Sequence, residues 1–269
     1  MSDLSAAGLA RQASRALACL DLTSLNLDDT PERIDALCDR ALSPAPGIEG
    51  HPAAVCISPR FVAQASARVR SSGIAVAAVA NFPLGTAPLG EVIDEVGQAL
   101  ADGADEIDVV FPFRAFLAGD QATGAALLAA VSAACRSHSR PAKLKVILET
   151  GVLYEVATIK AAAAVAVANG ADFLKTSTGK LEPAATPEAA GALLEVIAAA
   201  QRSGQSIGLK VAGGVKTVAD AAIYLDMADE VLQPHGAEAT NFRFGASGLL
   251  NDIVHVLGSS HDLQLSTEY

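Results

Sequence analysis

Eight short apolar runs alternate with helical segments along this chain, and no other feature restricts the fold as much. The runs fall at residues 18–22, 53–57, 74–80, 105–110, 144–148, 170–175, 207–211 and 241–244. Helical patterns lie between them, among others at about 91–101, 121–135 and 156–168. Thr30-Pro31, Ser58-Pro59 and Thr186-Pro187 each place a capping hydroxyl before a proline at the first helical position. Gly73, Gly103, Gly170 and Gly204 are helix stops. Strands and helices that alternate with short connections predict a parallel sheet with crossover helices. Eight such units in 269 residues suit an α/β architecture closed into a single (β/α)8 TIM barrel. An open, doubly wound sheet is the alternative, but no glycine fingerprint follows the first strand. The expected domain spans residues 1–258, with an extra N-terminal helix over 1–16 and a last helix ending at Leu257. A polar, flexible C-terminal tail is expected over 259–269. Gly-Ala-Asp precedes both the fourth and the sixth strand, a weak internal echo of the repeated unit.

Active sites of such barrels lie at the C-terminal ends of the strands. Polar residues that interrupt the apolar runs are therefore candidates. They are Asp21 and Thr23 on the first strand, Cys56 on the second, Asp108 on the fourth, Lys175 ending the sixth and Lys210 on the seventh. A lone strand-end lysine more often snorkels to solvent than reacts, and a buried Asp108 would serve equally well as a structural partner. Two lysines on consecutive strands shift that balance. Neighbouring strands lie about 4.8 Å apart, which brings inward-facing amines together. Repulsion and partial desolvation then favour the uncharged amine, the form that attacks a carbonyl to make a Schiff base. Asp108 would shuttle protons to and from the intermediate.

The chain carries a formal net charge of −11, which argues against nucleic acid and anionic membrane surfaces as partners. It has only seven lysines, and Lys175, Lys180, Lys210 and Lys216 all fall in or beside two glycine-containing turns. Thr178-Gly179-Lys180, Gly213-Gly214-Val215-Lys216 and Gly245-Ala246-Ser247-Gly248 follow the sixth, seventh and eighth strands. Most glycine pairs simply make turns. Three in succession, with two lysines, point to backbone amides that bind phosphate.

Other chemistries are disfavoured. The five histidines are scattered, with no ligand spacing at a strand end, so no metal is expected. No G-x-S-x-G elbow is present. The four cysteines form no C-x-x-C pair, which suits reduced thiols in the cytoplasm. No signal peptide and no membrane-spanning run is apparent.

Taken together, several segments resemble deoxyribose-phosphate aldolases, a class I, Schiff-base family. They are Asp21-Leu-Thr23, Val55-Cys-Ile-Ser-Pro-Arg-Phe61, Asn81-Phe-Pro, the run from Gly103 to Pro112, Leu144 to Gly151, Gly170 to Lys180, Lys210-Val-Ala-Gly-Gly214 and Arg243-Phe-Gly-Ala-Ser247. Lys-Thr-Ser-Thr-Gly-Lys at 175–180 is the most specific of them. The resemblance implies retro-aldol cleavage of 2-deoxy-D-ribose 5-phosphate without metal or organic cofactor, in deoxyribonucleotide catabolism. It implies a Schiff base on Lys175, tuned by Lys210, with Asp108 as proton relay. Asp21, Thr23, Cys56, Lys145 and Thr178 would bind substrate. Gly179, Lys180, Gly213, Gly214, Val215, Lys216, Gly245, Ser247 and Gly248 would surround the 5-phosphate. Tyr269 matches the family's terminal tyrosine, and a homodimer is the expected assembly. The chain departs from the family at Val211 (often proline), Lys216 (often arginine) and Gly248 (often serine). A Schiff-base aldolase with another donor or acceptor, and a catalytically silent sugar-phosphate-binding barrel, are the rival readings.

Overall fold

The structure, a computed structural model, describes residues 5–266. In chain order the elements are α1 (Ala6–Ala18), β1 (Leu20–Thr23), α2 (Pro31–Leu42), β2 (Ala54–Ile57), α3 (Val62–Arg68), β3 (Ala75–Ala80) and α4 (Leu89–Ala101). They continue with β4 (Glu106–Val110), α5 (Phe113–Leu117), α6 (Gln121–Ser137), β5 (Lys143–Ile147), α7 (Thr150–Leu153) and α8 (Val156–Ala168). The last are β6 (Phe173–Lys175), α9 (Pro187–Arg202), β7 (Gly208–Ala212), α10 (Val218–Val231), β8 (Phe242–Ala246) and α11 (Leu249–Ser266). The eight strands are parallel and close into a barrel, with Leu22 of β1 in register with Ala246 of β8. The expected (β/α)8 architecture is therefore the one found, with α1 as the extra helix.

Local chemistry sets the helix starts. Thr30 and Thr186 accept hydrogen bonds from the amides of Arg33 and Ala189, with proline next in line. Thr217 and Asp220 form a reciprocal capping box at the start of α10. Ser58-Pro59 behaves differently: Ser58 makes no capping bond, and a 3-10 turn at Pro59–Phe61 precedes α3. Gly73 comes five residues after α3 ends at Arg68, so it closes a turn and not the helix. Two short helices, α5 and α7, stand where loops were expected. The last helix does not end at Leu257; α11 continues to Ser266 and takes up most of the stretch read as a tail.

The Gly-Ala-Asp echo is structural. Gly103 and Gly170 have φ of 107° and 89°, and a side chain at either would collide with Ser66 or Ser132. Asp105 accepts from the Val76 amide and Asp172 from the Leu144 amide, so each fastens the start of the preceding strand.

Side-chain alternation separates two interiors. Leu22, Val55, Val76, Ile107, Val146, Leu174, Leu209 and Phe244 point outward into the helix layer and share one core. Inside the barrel, Ala54, Cys56, Ala77 and Val79 form a small apolar patch on β2 and β3. Most of the other inward side chains are charged, with Phe173 on β6 packed against Arg243.

Candidate active site

Seven charged side chains occupy the barrel interior: Asp21 on β1, Glu106 and Asp108 on β4, Lys145 on β5, Lys175 on β6, Lys210 on β7 and Arg243 on β8. None is more than 4% exposed. Burial at this level requires pairing, and pairing is complete. Asp108 Oδ1 accepts from Lys145 at 2.9 Å, and its Oδ2 from Lys175 at 2.8 Å and Lys210 at 2.7 Å. Asp21 accepts from Lys210 and, at 2.6 Å, from Arg243. Glu106 accepts from Lys145 and, at 2.9 and 3.2 Å, from Arg243. Parallel register makes these contacts possible: Lys175 lies beside Lys210 and Lys210 beside Arg243, while Asp108 lies beside Lys145. Gly245 leaves the space that Lys210 fills, since a Cβ there would sit 3.1 Å from Lys210 Cε.

Three carboxylates thus face four cations. Lys145, Lys210 and Arg243 each touch at least two acids. Lys175 touches one oxygen of one acid and ends its strand. Burial alone would raise the Asp108 carboxyl, but Lys145, Lys175 and Lys210 hold it well below the usual carboxylate range. Burial alone would pull Lys210 down, yet Asp108 and Asp21 carry it well above the usual lysine value. Desolvation and like charge were expected to depress both lysines; for Lys210 the two carboxylates win, and it is a fixed cation. Asp21 is likewise driven down against its burial, chiefly by Lys210 and Arg243.

The other expected residues fall around this cluster. Cys56 Sγ lies 3.8 Å from Asp108 Oδ2, and burial pushes its thiol up. Thr23 Oγ1 donates to the Asp21 carbonyl. Thr178, just past β6, donates to Glu149. Gly179, Gly213 and Gly214 have φ of 73°, 85° and 84°, a region glycine adopts without strain. The turns after β6 and β7 abut, for a Cβ on Gly213 would come within 3.2 Å of Gly179 Cα. The amides of Gly179, Gly213, Gly214 and Ser247 donate to no acceptor among the described residues. Lys180 and Lys216 are exposed beside them and in no ion pair among those residues. Val215 is buried, whereas Ser247 and Gly248 are exposed ahead of α11. Gly245 lies within β8, where its packing against Lys210 accounts for it. Tyr269 lies outside the described residues.

Glu106, Arg243 and Glu149 were not singled out by the sequence. The first two interrupt apolar strands as Asp108 does, and that signal was available for them. A cavity of about 600 Å³ opens at the opposite, N-terminal mouth, lined partly by Glu106 and Arg243. Both are already paired with each other. No group of three or more His, Cys, Asp or Glu side chains suited to a metal ion occurs among the described residues. Nor is any helix among them long and apolar enough to cross a membrane.

Residues 15–254 match the profile of the DeoC/LacD family aldolases. The chain is 45% identical over 258 residues to the deoxyribose-phosphate aldolase of Agrobacterium fabrum, covering 96% of each. An apo-form crystal structure of a candidate deoxyribose-phosphate aldolase from Toxoplasma gondii is 28% identical, with a TM-score of 0.78 over 93% of this chain and 97% of that one. The tetrameric deoxyribose phosphate aldolase of Aeropyrum pernix is 25% identical, with a TM-score of 0.72 over 96% and 99%.

Proposed function

This chain belongs to the DeoC/LacD family of aldolases, and on that footing we propose that it cleaves 2-deoxy-D-ribose 5-phosphate reversibly to acetaldehyde and D-glyceraldehyde 3-phosphate. The observation that carries the reading is Lys175: the fourth cation over three carboxylates, held by one oxygen at the C-terminal end of β6. Lys175 Nζ attacks C1 of the open-chain sugar, and loss of water gives an iminium. The iminium draws the electrons of the C2–C3 bond as the C3 hydroxyl gives up its proton, so glyceraldehyde 3-phosphate leaves and an enamine remains. Protonation at C2 and hydrolysis release acetaldehyde and restore the amine. Asp108, bonded to Lys175, is placed to carry protons in these steps. Lys210, a fixed cation, shares Asp108 Oδ2 with the nucleophile.

The loops after β6, β7 and β8 serve the 5-phosphate, with Gly179, Gly213, Gly214 and Ser247 offering amides, and Lys180 and Lys216 offering charge. Asp21, Thr23, Cys56 and Lys145 form the wall around the reacting carbon, and Tyr269 carries a proton to C2. The enzyme works in the cytoplasm in deoxyribonucleotide breakdown, as a homo-oligomer, without metal or organic cofactor. Borohydride reduction in the presence of acetaldehyde, read by peptide mass spectrometry, tests the nucleophile. The adduct is expected on Lys175, and a stable adduct confined to another lysine would sink the assignment.

A further inference from the structure

Glu149 stands directly after β5 in a conformation that a glutamate rarely adopts, with φ 57° and ψ 59°. Its side chain is fully buried, although no lysine or arginine of the described residues forms an ion pair with it. Burial pushes its carboxyl up from the ordinary glutamate value, against the hydrogen bonds from Thr178. Backbone strain and a buried, unpaired acid are both unfavourable, and a glycine at this turn would avoid both. What the glutamate gains is Thr178. It accepts from Thr178 Oγ1 at 2.5 Å and from the Thr178 amide at 3.3 Å.

Thr178 Oγ1 accepts in turn from the Lys180 amide at 3.1 Å, which closes the Thr178-Gly179-Lys180 turn. The same segment grips the loop at two more points. The Thr150 amide donates to the Thr176 carbonyl at 2.8 Å. Gly151 lies flat on Pro183, where a Cβ would come 1.7 Å from the carbonyl oxygen. On its far side the loop abuts Gly213. The loop after β6 is therefore wedged between residues 149–151 and the glycine turn after β7. The Thr176 and Ser177 hydroxyls bond the Ala212 carbonyl on the β7 side, and on the β5 side Glu149 supplies the only side-chain bond among the described residues.

We propose that Glu149 is a positioning residue that fixes the loop after β6 for a phosphate monoester, and so sets the preference for phosphorylated over unphosphorylated aldehydes. The inference rests on the phosphate reading above and adds the residue that enforces it. Lys175 is hydrogen-bonded to Asp108 and not to Glu149, although its charge and that of Arg114 act on the Glu149 carboxyl against its burial.

The test compares steady-state kinetics on deoxyribose 5-phosphate and unphosphorylated deoxyribose. In Glu149→Gln, KM for the phosphorylated sugar should rise about tenfold, the scale of one lost charge-assisted hydrogen bond. Loss on the unphosphorylated sugar should be far smaller, and Glu149→Asp should restore part of the preference. In a Thr178→Val background the same Glu149→Gln change should have a smaller further effect on KM, because the hydroxyl partner is gone and only the Thr178 amide remains. If Glu149→Gln does not fold, Thr178→Val alone should show the same selective rise. Equal losses on both sugars would overturn the role of Glu149 while leaving the phosphate reading intact. A wild-type enzyme that uses both sugars equally would overturn the phosphate reading, and this inference with it.

Discussion

Lys175 and Lys210 meet on a single atom: their ammonium nitrogens lie 2.8 and 2.7 Å from Asp108 Oδ2. Two amines on adjacent strands would otherwise repel each other without relief. One shared oxygen lets them approach while leaving one cation too many for the three acids present. Lys210 is bound by a second carboxylate, Asp21, and Lys175 is not.

Removing Lys210 tests that division. In Lys210→Leu, Asp108 Oδ2 keeps Lys175 and the Cys56 thiol but loses its fixed cation, which removes a like charge from beside the nucleophile. The acidic limb of kcat/KM should therefore move to higher pH, with a large fall in rate at neutrality. A limb that stays in place would remove Lys210 from the tuning role.

Arg243 is expected to act through stability. It is the main partner of Glu106 and a second partner of Asp21, and all three are buried. Arg243→Met should cost about 3–5 kcal/mol, because two acids lose a buried cation. Arg243→Met combined with Glu106→Gln should cost less than the sum of the single changes. Urea unfolding of the four proteins measures the coupling, and simple additivity would show that the pair is not coupled.

The phosphate turns are open to a charge-reversal test. Ser247 is exposed ahead of α11 and beside unpaired amides. Ser247→Asp should weaken use of deoxyribose 5-phosphate about tenfold or more, equivalent to about 1.4 kcal/mol of repulsion. Unphosphorylated deoxyribose should be little affected, and equal losses would place the phosphate elsewhere.

Alkaline stability should depend on Cys19. Burial raises its thiol from 9.0 to about 12. The folded protein then keeps a proton that the unfolded chain gives up above pH 9, so the stabilising contribution is complete below pH 9 and is lost as pH rises toward 12. Between pH 9 and 10 the wild type should lose up to about 1.4 kcal/mol that Cys19→Ala retains. Parallel unfolding curves for the two proteins over that range would contradict the shift.

The barrel was legible because its signals are local and repeated. Threonine–proline starts, glycine stops and apolar runs each act within a few residues. The helices α5 and α7 have five and four residues, too few for a period to show. Lys175, Lys210 and Asp108 were legible because charge inside an apolar strand stands out. Arg243 and Glu106 carry the same signal at the start of their strands, where polar neighbours such as Asn241 and Asp105 hide it. Glu149 had no such signal. What marks it is a backbone angle, and residue type alone does not reveal a left-handed glutamate.

The charged interior also bears on how the protein responds to heat. Much of the barrel centre is ionic where a hydrocarbon packing would be usual, so unfolding exposes less apolar surface for a domain of this size. Polar exposure lowers the heat capacity of unfolding, and apolar exposure raises it. The cost of keeping ions out of water also falls as temperature rises. Both effects flatten the stability curve at its hot end, so this barrel should lose stability more gradually on warming than one filled with leucine and valine.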